Sequence, residues 1–365
     1  MTSSVYIHIP FCKSICSYCD FCKIYYDEKI CHNYLDSLEN EIKLRYKGES
    51  IETIYIGGGT PSSLSLSNIE YLFDIIKAFN IDNLKEFTFE FNVLDINKEI
   101  LEFLKNNHVN RISIGIETIN REGQLLLNRV YSKEEITDRI NLAKEYFDNI
   151  NLDLIYAYKD ETLDILKDDL DFITSFNPTH ISTYSLIIEE HTELFNKGIV
   201  PIDEELDSKM YDYIRKYLKD MGYNHIEISN FAKEGYKPLH NLVYWNNEHY
   251  YGFGAGASGY IDDKRYTNTK SVFKYNNGLY DYESNMIDKN IDIENEIMLG
   301  LRKIEGINKT KFKEKFGISI DEIYDIDKYI KLNYLEENND YIYIPSDKLY
   351  VSNSIIMNFI GGIND

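Results

Sequence analysis

Short β-branched or aromatic runs alternate with amphipathic stretches through the first half of the chain, the pattern of β-α units around a parallel sheet. Six runs read as strands: Val5–Ile9, Thr53–Ile56, Glu86–Phe91, Arg111–Ile116, Asn151–Tyr156 and His180–Ile187. Between most of them apolar residues recur at helical spacing, as in Tyr34, Leu35, Leu38 and Ile42, and again in Ile69, Leu72, Phe73 and Ile76. Six such units predict an α/β fold built on a partial (β/α)6 barrel. Right-handed crossovers place the sites of such barrels at the C-terminal ends of the strands.

Past residue 195 the pattern changes. A helix is expected around Glu204–Met221, followed by an irregular Tyr- and Gly-rich region through Tyr266. From about Asn290 the chain reads as helices, a strand at Tyr341–Ile344 and a last amphipathic stretch. The expected organisation is a barrel core over 1–195, a barrel-closing elaboration over 196–289 and a small winged-helix-like domain over 290–365. A length of 365 residues fits two or three domains, and 43% apolar content supplies their cores.

Charge and chemistry narrow the picture. With 39 Lys and Arg against 61 Asp and Glu, the formal charge is -22, which excludes an electrostatic nucleic-acid binder. No apolar run approaches the roughly 20 residues of a membrane span, and the first residues are too short and polar for a signal peptide, so a cytoplasmic protein is expected. All five cysteines lie in the first 31 residues, which suits a metal site better than a disulfide scaffold.

Cys12, Cys16 and Cys19 follow the first strand on one tight loop in the spacing Cys-x3-Cys-x2-Cys, with Tyr18 directly before the last. Three thiolates can hold three irons of a cubane cluster and leave the fourth iron open. The competing reading is structural zinc, with Cys22, His8 or His32 as a fourth ligand, although no second Cys pair follows downstream. The turn Gly57-Gly58-Gly59-Thr60-Pro61-Ser62 follows the second strand, and its glycines let backbone amides face a ligand.

Together with Tyr6-Ile7-His8-Ile9-Pro10-Phe11-Cys12, these motifs resemble the radical S-adenosylmethionine (SAM) proteins, in the branch of the oxygen-independent coproporphyrinogen oxidases. Further matches follow in the family's order: Glu90-Phe91-Asn92, Asn110-Arg111-Ile112-Ser113-Ile114-Gly115, Asn128-Arg129 and Asp153-Leu154-Ile155-Tyr156. Within the family the closer likeness is to its heme chaperones. The cluster motif begins 12 residues into the chain without the oxidases' long leader, and Asp20-Phe21 stands where the oxidases repeat a cysteine. Most specific is His240-Asn241-Leu242-Val243-Tyr244-Trp245, which matches the chaperone pattern His-Asn-x-x-Tyr-Trp and holds the single Trp of the chain.

The resemblance implies a 4Fe-4S cluster on Cys12, Cys16 and Cys19, SAM on the open iron, heme, and a haemoprotein acceptor as partner. Tyr6, Tyr18, Gly58, Gly59, Thr60 and Glu90 match SAM contacts; Tyr6 and Glu90 also fit as ordinary strand residues. Glu117, Arg129 and Asp153 match positions for a second SAM, against which stand two departures. Glu117 replaces the usual Gln, and Ala157-Tyr158-Lys159 replaces Gly-Leu-Pro. Arg129 also reads as a paired surface cation and Asp153 as a satisfied strand-end polar residue. His240 is the implied heme ligand, or a structural histidine. The implied function is heme chaperone; the alternative is radical oxidative decarboxylation of coproporphyrinogen III, an oxidoreductase activity of the dehydrogenase type.

Overall fold

A computed structural model describes residues 2–360 of the chain; residues 361–365, the end of the third expected segment, lie outside the described residues. Six β-strands alternate with helices in the order β1 (Ser4–Ile9), α1 (Glu28–Arg45), β2 (Thr53–Gly58), α2 (Leu66–Ile76), β3 (Glu86–Asn92), α3 (Lys98–Asn106), β4 (Arg111–Glu117), α4 (Lys133–Lys144), β5 (Ile150–Tyr156), α5 (Leu163–Ser175) and β6 (His180–Ser185). They lie side by side in sequence order and are all parallel. The expected strands are present within a few residues at each end. The sixth stops at Ser185, and Leu186 and Ile187 leave the sheet.

Each helix begins where a side chain captures an orphan amide: Asp27, Ser65, Asn97 and Thr162 cap α1, α2, α3 and α5, and Ser132 with Glu135 forms a capping box on α4. The strands then sort their side chains by alternation. Phe87 and Phe89 of β3 face the helices and pack on Phe73 of α2, which also meets Phe103 of α3 at 5.3 Å. Burying each such ring contributes roughly 1.5–3 kcal/mol.

The other face is polar. Thr88 and Glu90 of β3, Arg111 and Ser113 of β4, Asn151 and Asp153 of β5, and His180 and Ser182 of β6 form hydrogen-bonded layers inside the barrel. Neighbours satisfy most of these buried polar groups, while Arg111 Nε and His180 Nε2 have no hydrogen-bond partner.

After α6 (Glu204–Asp220) the chain adds β7 (Asn224–Glu227), β8 (Asn230–Ala232), α7 (Leu239–Trp245) and β9 (Tyr251–Phe253). β8 pairs antiparallel with β6 and β7 with β8, while β9 pairs parallel with β1. The elaboration thus supplies both edges of a nine-stranded sheet. The terminal segment holds helices Lys289–Gly300, Lys309–Phe316 and Ile326–Lys331 and a small antiparallel sheet with Tyr341–Tyr343 in its centre. Among the described residues no helix is long and apolar enough to cross a membrane.

Candidate functional site

A cavity of about 440 Å³ opens at the C-terminal ends of the strands. Eleven of the thirteen site residues expected from sequence line it: Cys12, Cys16, Cys19, Tyr18, Gly58, Gly59, Thr60, Glu90, Glu117, Arg129 and Asp153. They come from the ends or inner faces of β2 to β5 and from the loops after β1 and β4, the arrangement that parallel β-α units impose.

The cysteine loop is pinned on both sides. Phe11–Cys12 pairs in parallel with Ile24–Tyr25, closing the loop at its base. At its tip Ser17 N donates to Leu127 O at 3.2 Å, Asn128 Nδ2 donates to Ile15 O at 2.8 Å, and Leu194 N donates to Ser17 O at 3.0 Å. The three thiols are free and share the cavity, and Thr60 Oγ1 donates to Cys12 Sγ at 3.5 Å. Burial pushes the Cys12 thiol up to about 11 and raises Cys16 and Cys19 as well, so any metal bound by these thiols would have to displace their protons.

Among the described residues no three His, Cys, Asp or Glu side chains converge as ligands of one metal ion. A cubane takes one thiolate per iron, so three thiols spread around a shared cavity fit it. Cys22 turns away and donates to Lys270 O, and Cys31 is buried in α1. Both ring nitrogens of His8 are engaged, by the Tyr6 hydroxyl and Cys22 O, and the His32 ring lies against Tyr71.

The glycine turn fits its space without room for side chains. Gly58 has φ +116°, and a Cβ there would stand 2.6 Å from His8 Nδ1; a Cβ on Gly59 would stand 3.0 Å from Cys12 Sγ. Glu90 reaches this turn from β3, accepting from Tyr55 Oη at 2.5 Å and Gly58 N at 3.1 Å. Burial pushes its carboxyl up to about 7, Tyr55 and Gly58 working against that push. Such a carboxylate can accept an ammonium group from a ligand in the cavity.

The opposite wall carries a buried ion pair. Arg129 Nη2 lies 3.0 Å from Glu117 Oε1 and donates to Gly115 O at 3.2 Å, with both side chains less than a tenth exposed. Arg129 is therefore an internal cation rather than one on a helix surface. Glu117 sits at φ +68°, after a register shift in β4 that turns its side chain into the cavity. Asp153 accepts from Ser113 Oγ and Asn151 Nδ2, so it is both a satisfied strand residue and part of the lining. Burial raises its carboxyl.

Tyr6 and His240 fall elsewhere, in a second cavity of about 250 Å³ that also meets Tyr55, Tyr184, Tyr244 and Trp245. Tyr6 donates toward His8 there rather than facing the cysteine cavity. His240 is fully buried at the N-terminal end of the sheet. Its Nδ1 lies 2.8 Å from Thr53 Oγ1 and its Nε2 2.7 Å from the Tyr244 hydroxyl. Because the Thr53 hydroxyl donates to Ser4, Nδ1 donates and the Nε2 lone pair is taken by Tyr244. Burial pulls the imidazole down to about 3. Both ring nitrogens of His240 are thus engaged within the protein in this packing.

Sequence reasoning missed Tyr184, which lines both cavities, and Lys23, Phe21, Ser113 and Ile187 of the larger one. A signal existed for Ile187, since its apolar run continued past a strand with no partner left to cover it.

Residues 6–173 match the model of the Radical SAM superfamily, and residues 287–346 match the HemN C-terminal domain. The chain is 36% identical over 369 residues to the heme chaperone HemW of Lactococcus lactis subsp. lactis, covering 98% of this chain and 97% of that one. It is 35% identical to HemW of Bacillus subtilis, covering 98% and 99%. The solved structure of coproporphyrinogen III oxidase (HemN) from Escherichia coli, a radical SAM enzyme, superposes with a TM-score of 0.86 over 99% of this chain and 90% of that one. At 22% identity that likeness establishes the fold alone.

Proposed function

Because the chain belongs to the HemW family of radical SAM proteins, we propose that it is a heme chaperone that carries a 4Fe-4S cluster and SAM and hands heme to an acceptor haemoprotein. The carrying observation for the cofactors is the single cavity that gathers three free thiols, the glycine turn and Glu90. The near full-length likeness to heme chaperones supports the cargo.

In this reading Cys12, Cys16 and Cys19 hold the cluster. Glu90 accepts the amino group of SAM while Tyr18, Gly58, Gly59 and Thr60 shape its bed. Bound together, cluster and SAM supply one-electron cleavage of a carbon-sulfur bond. Glu117 already neutralises Arg129, so that guanidinium is not free for a second SAM carboxylate, and one SAM is proposed. Tyr244 and Trp245 form an aromatic wall for heme in the cavity that Tyr6 and His240 also line, with His240 hydrogen-bonded to Tyr244. Residues 1–195 are assigned to cluster and SAM, 196–289 to the sheet edges and the second cavity, and 290–365 to a third unit.

The test is anaerobic reconstitution followed by iron and sulfide analysis, heme titration and a turnover assay with coproporphyrinogen III. Wild-type protein is expected to hold four irons, and replacing any one of the three cysteines by Ala abolishes the cluster while Cys22→Ala leaves it. Equal loss in Cys22→Ala rejects the three-thiol assignment. A Soret band that saturates with heme, without decarboxylation, supports the chaperone; turnover on the order of one per second would overturn it.

A further inference from the structure

We propose that the Glu117–Arg129 pair sets the reduction potential of the cluster, Arg129 raising it and Glu117 lowering it. The inference rests on the cluster reading above.

The geometry places this pair beside Cys16. The two residues flanking that cysteine are hydrogen-bonded to the two that precede Arg129: Ile15 O accepts from Asn128 Nδ2 at 2.8 Å, and Ser17 N donates to Leu127 O at 3.2 Å. Arg129 and Glu117 line the same cavity as all three thiols. Tyr18 lines the cavity beside the two groups and acts on both Cys16 and Glu117. The pair also occupies built space, because a Cβ on Gly115 would stand 2.5 Å from Arg129 Nη2 and 2.7 Å from Glu117 Oε1.

Arg129 Nε has no hydrogen-bond partner and the Tyr131 ring lies 5.7 Å from the guanidinium, so among the described residues the Glu117 carboxylate is its one ion-pair partner. A guanidinium stays charged under all relevant conditions, and at 3.0 Å its charge favours the Glu117 carboxylate and opposes the upward push of burial. Reduction adds one electron to the cluster. A buried positive charge nearby favours the more negative reduced state and raises the potential; a negative charge does the reverse. The two side chains therefore act on the cluster with opposite sign, and as field-setting residues rather than ligands.

The experiment is a dithionite titration of the anaerobically reconstituted full chain without SAM, followed by electron paramagnetic resonance, with iron and sulfide measured on each sample. Arg129→Met is expected to lower the midpoint, Arg129→Lys to keep it, and Glu117→Gln to raise it. Shifts of one sign in Arg129→Met and Glu117→Gln, no shift in either, or a fall in Arg129→Lys equal to that in Arg129→Met overturns the proposal. If Arg129→Met takes up no iron, Glu117→Gln decides alone: upward supports, unchanged or downward overturns. Wild-type protein without iron would instead overturn the cluster reading, and this inference with it.

Discussion

Glu161, in the loop after β5, is 2% exposed, and its carboxylate makes no well-formed hydrogen bond, with only the Ala157 and Tyr158 backbone in weak reach. Burial, reinforced by Asp169, pushes it up to about 9. The folded chain therefore keeps a proton that the unfolded chain releases above its ordinary value of 4.5, so this residue's contribution to stability is lost as pH rises from about 4.5 to about 9. Glu161→Gln removes that loss. Its gain over wild type should grow by on the order of 1 kcal/mol per pH unit across this window. Urea unfolding at pH 5.5 and pH 8 checks it, and an equal gap at both would reject the assignment. At this scale the cysteines could be read from sequence because their chemistry depends on local spacing. Glu161 and His240 could not, since their states depend on who surrounds them: His240 meets Thr53, 187 positions away, and its amide donates to Glu86.

The short helix Arg121–Leu127 has a job out of proportion to its length, since its C-terminal end holds the cysteine loop. Asn128 ends it at φ +56° and reaches across to Ile15 O. Asn128→Ala loses both the tolerance for that backbone conformation and the cross-bond, costing about 1–2 kcal/mol and loosening the loop. Asn128→Gly restores the backbone but not the bond. Iron release to a chelator should speed up in both variants, while the urea midpoint should fall further in Ala than in Gly; release at the wild-type rate in both would mean that the loop is held elsewhere. Elements of this kind escape a pattern search. The six barrel strands announce themselves because each must bury an apolar row against helices. β8 and β9, three residues each, take their identity from β6 and β1, which arrive from distant sequence.

For the whole molecule, α7 closes the N-terminal end of the sheet. Its first amides, Leu239 N and His240 N, donate to Glu86 at 2.8 and 3.1 Å, and the His240 side chain ties β2 to Tyr244. His240→Ala leaves Thr53 and Tyr244 short of a partner and opens a hole, at a cost on the order of 2–4 kcal/mol. Thermal unfolding of heme-free protein is the check: an unchanged midpoint would reject this structural contribution of His240. The closure of the sheet by β9 also has a consequence in time. β1 and the thiol loop behind it leave the ribosome before the rest of the sheet, but Ile7 waits for Phe253, 246 residues later, which at roughly 5–20 residues per second is on the order of ten to fifty seconds. During that wait the thiols hang from a half-edged sheet, open to any oxidant in the surroundings. Slowing translation in air should therefore lower the iron content of the chain that is recovered, whereas slowing it without oxygen should leave that content unchanged.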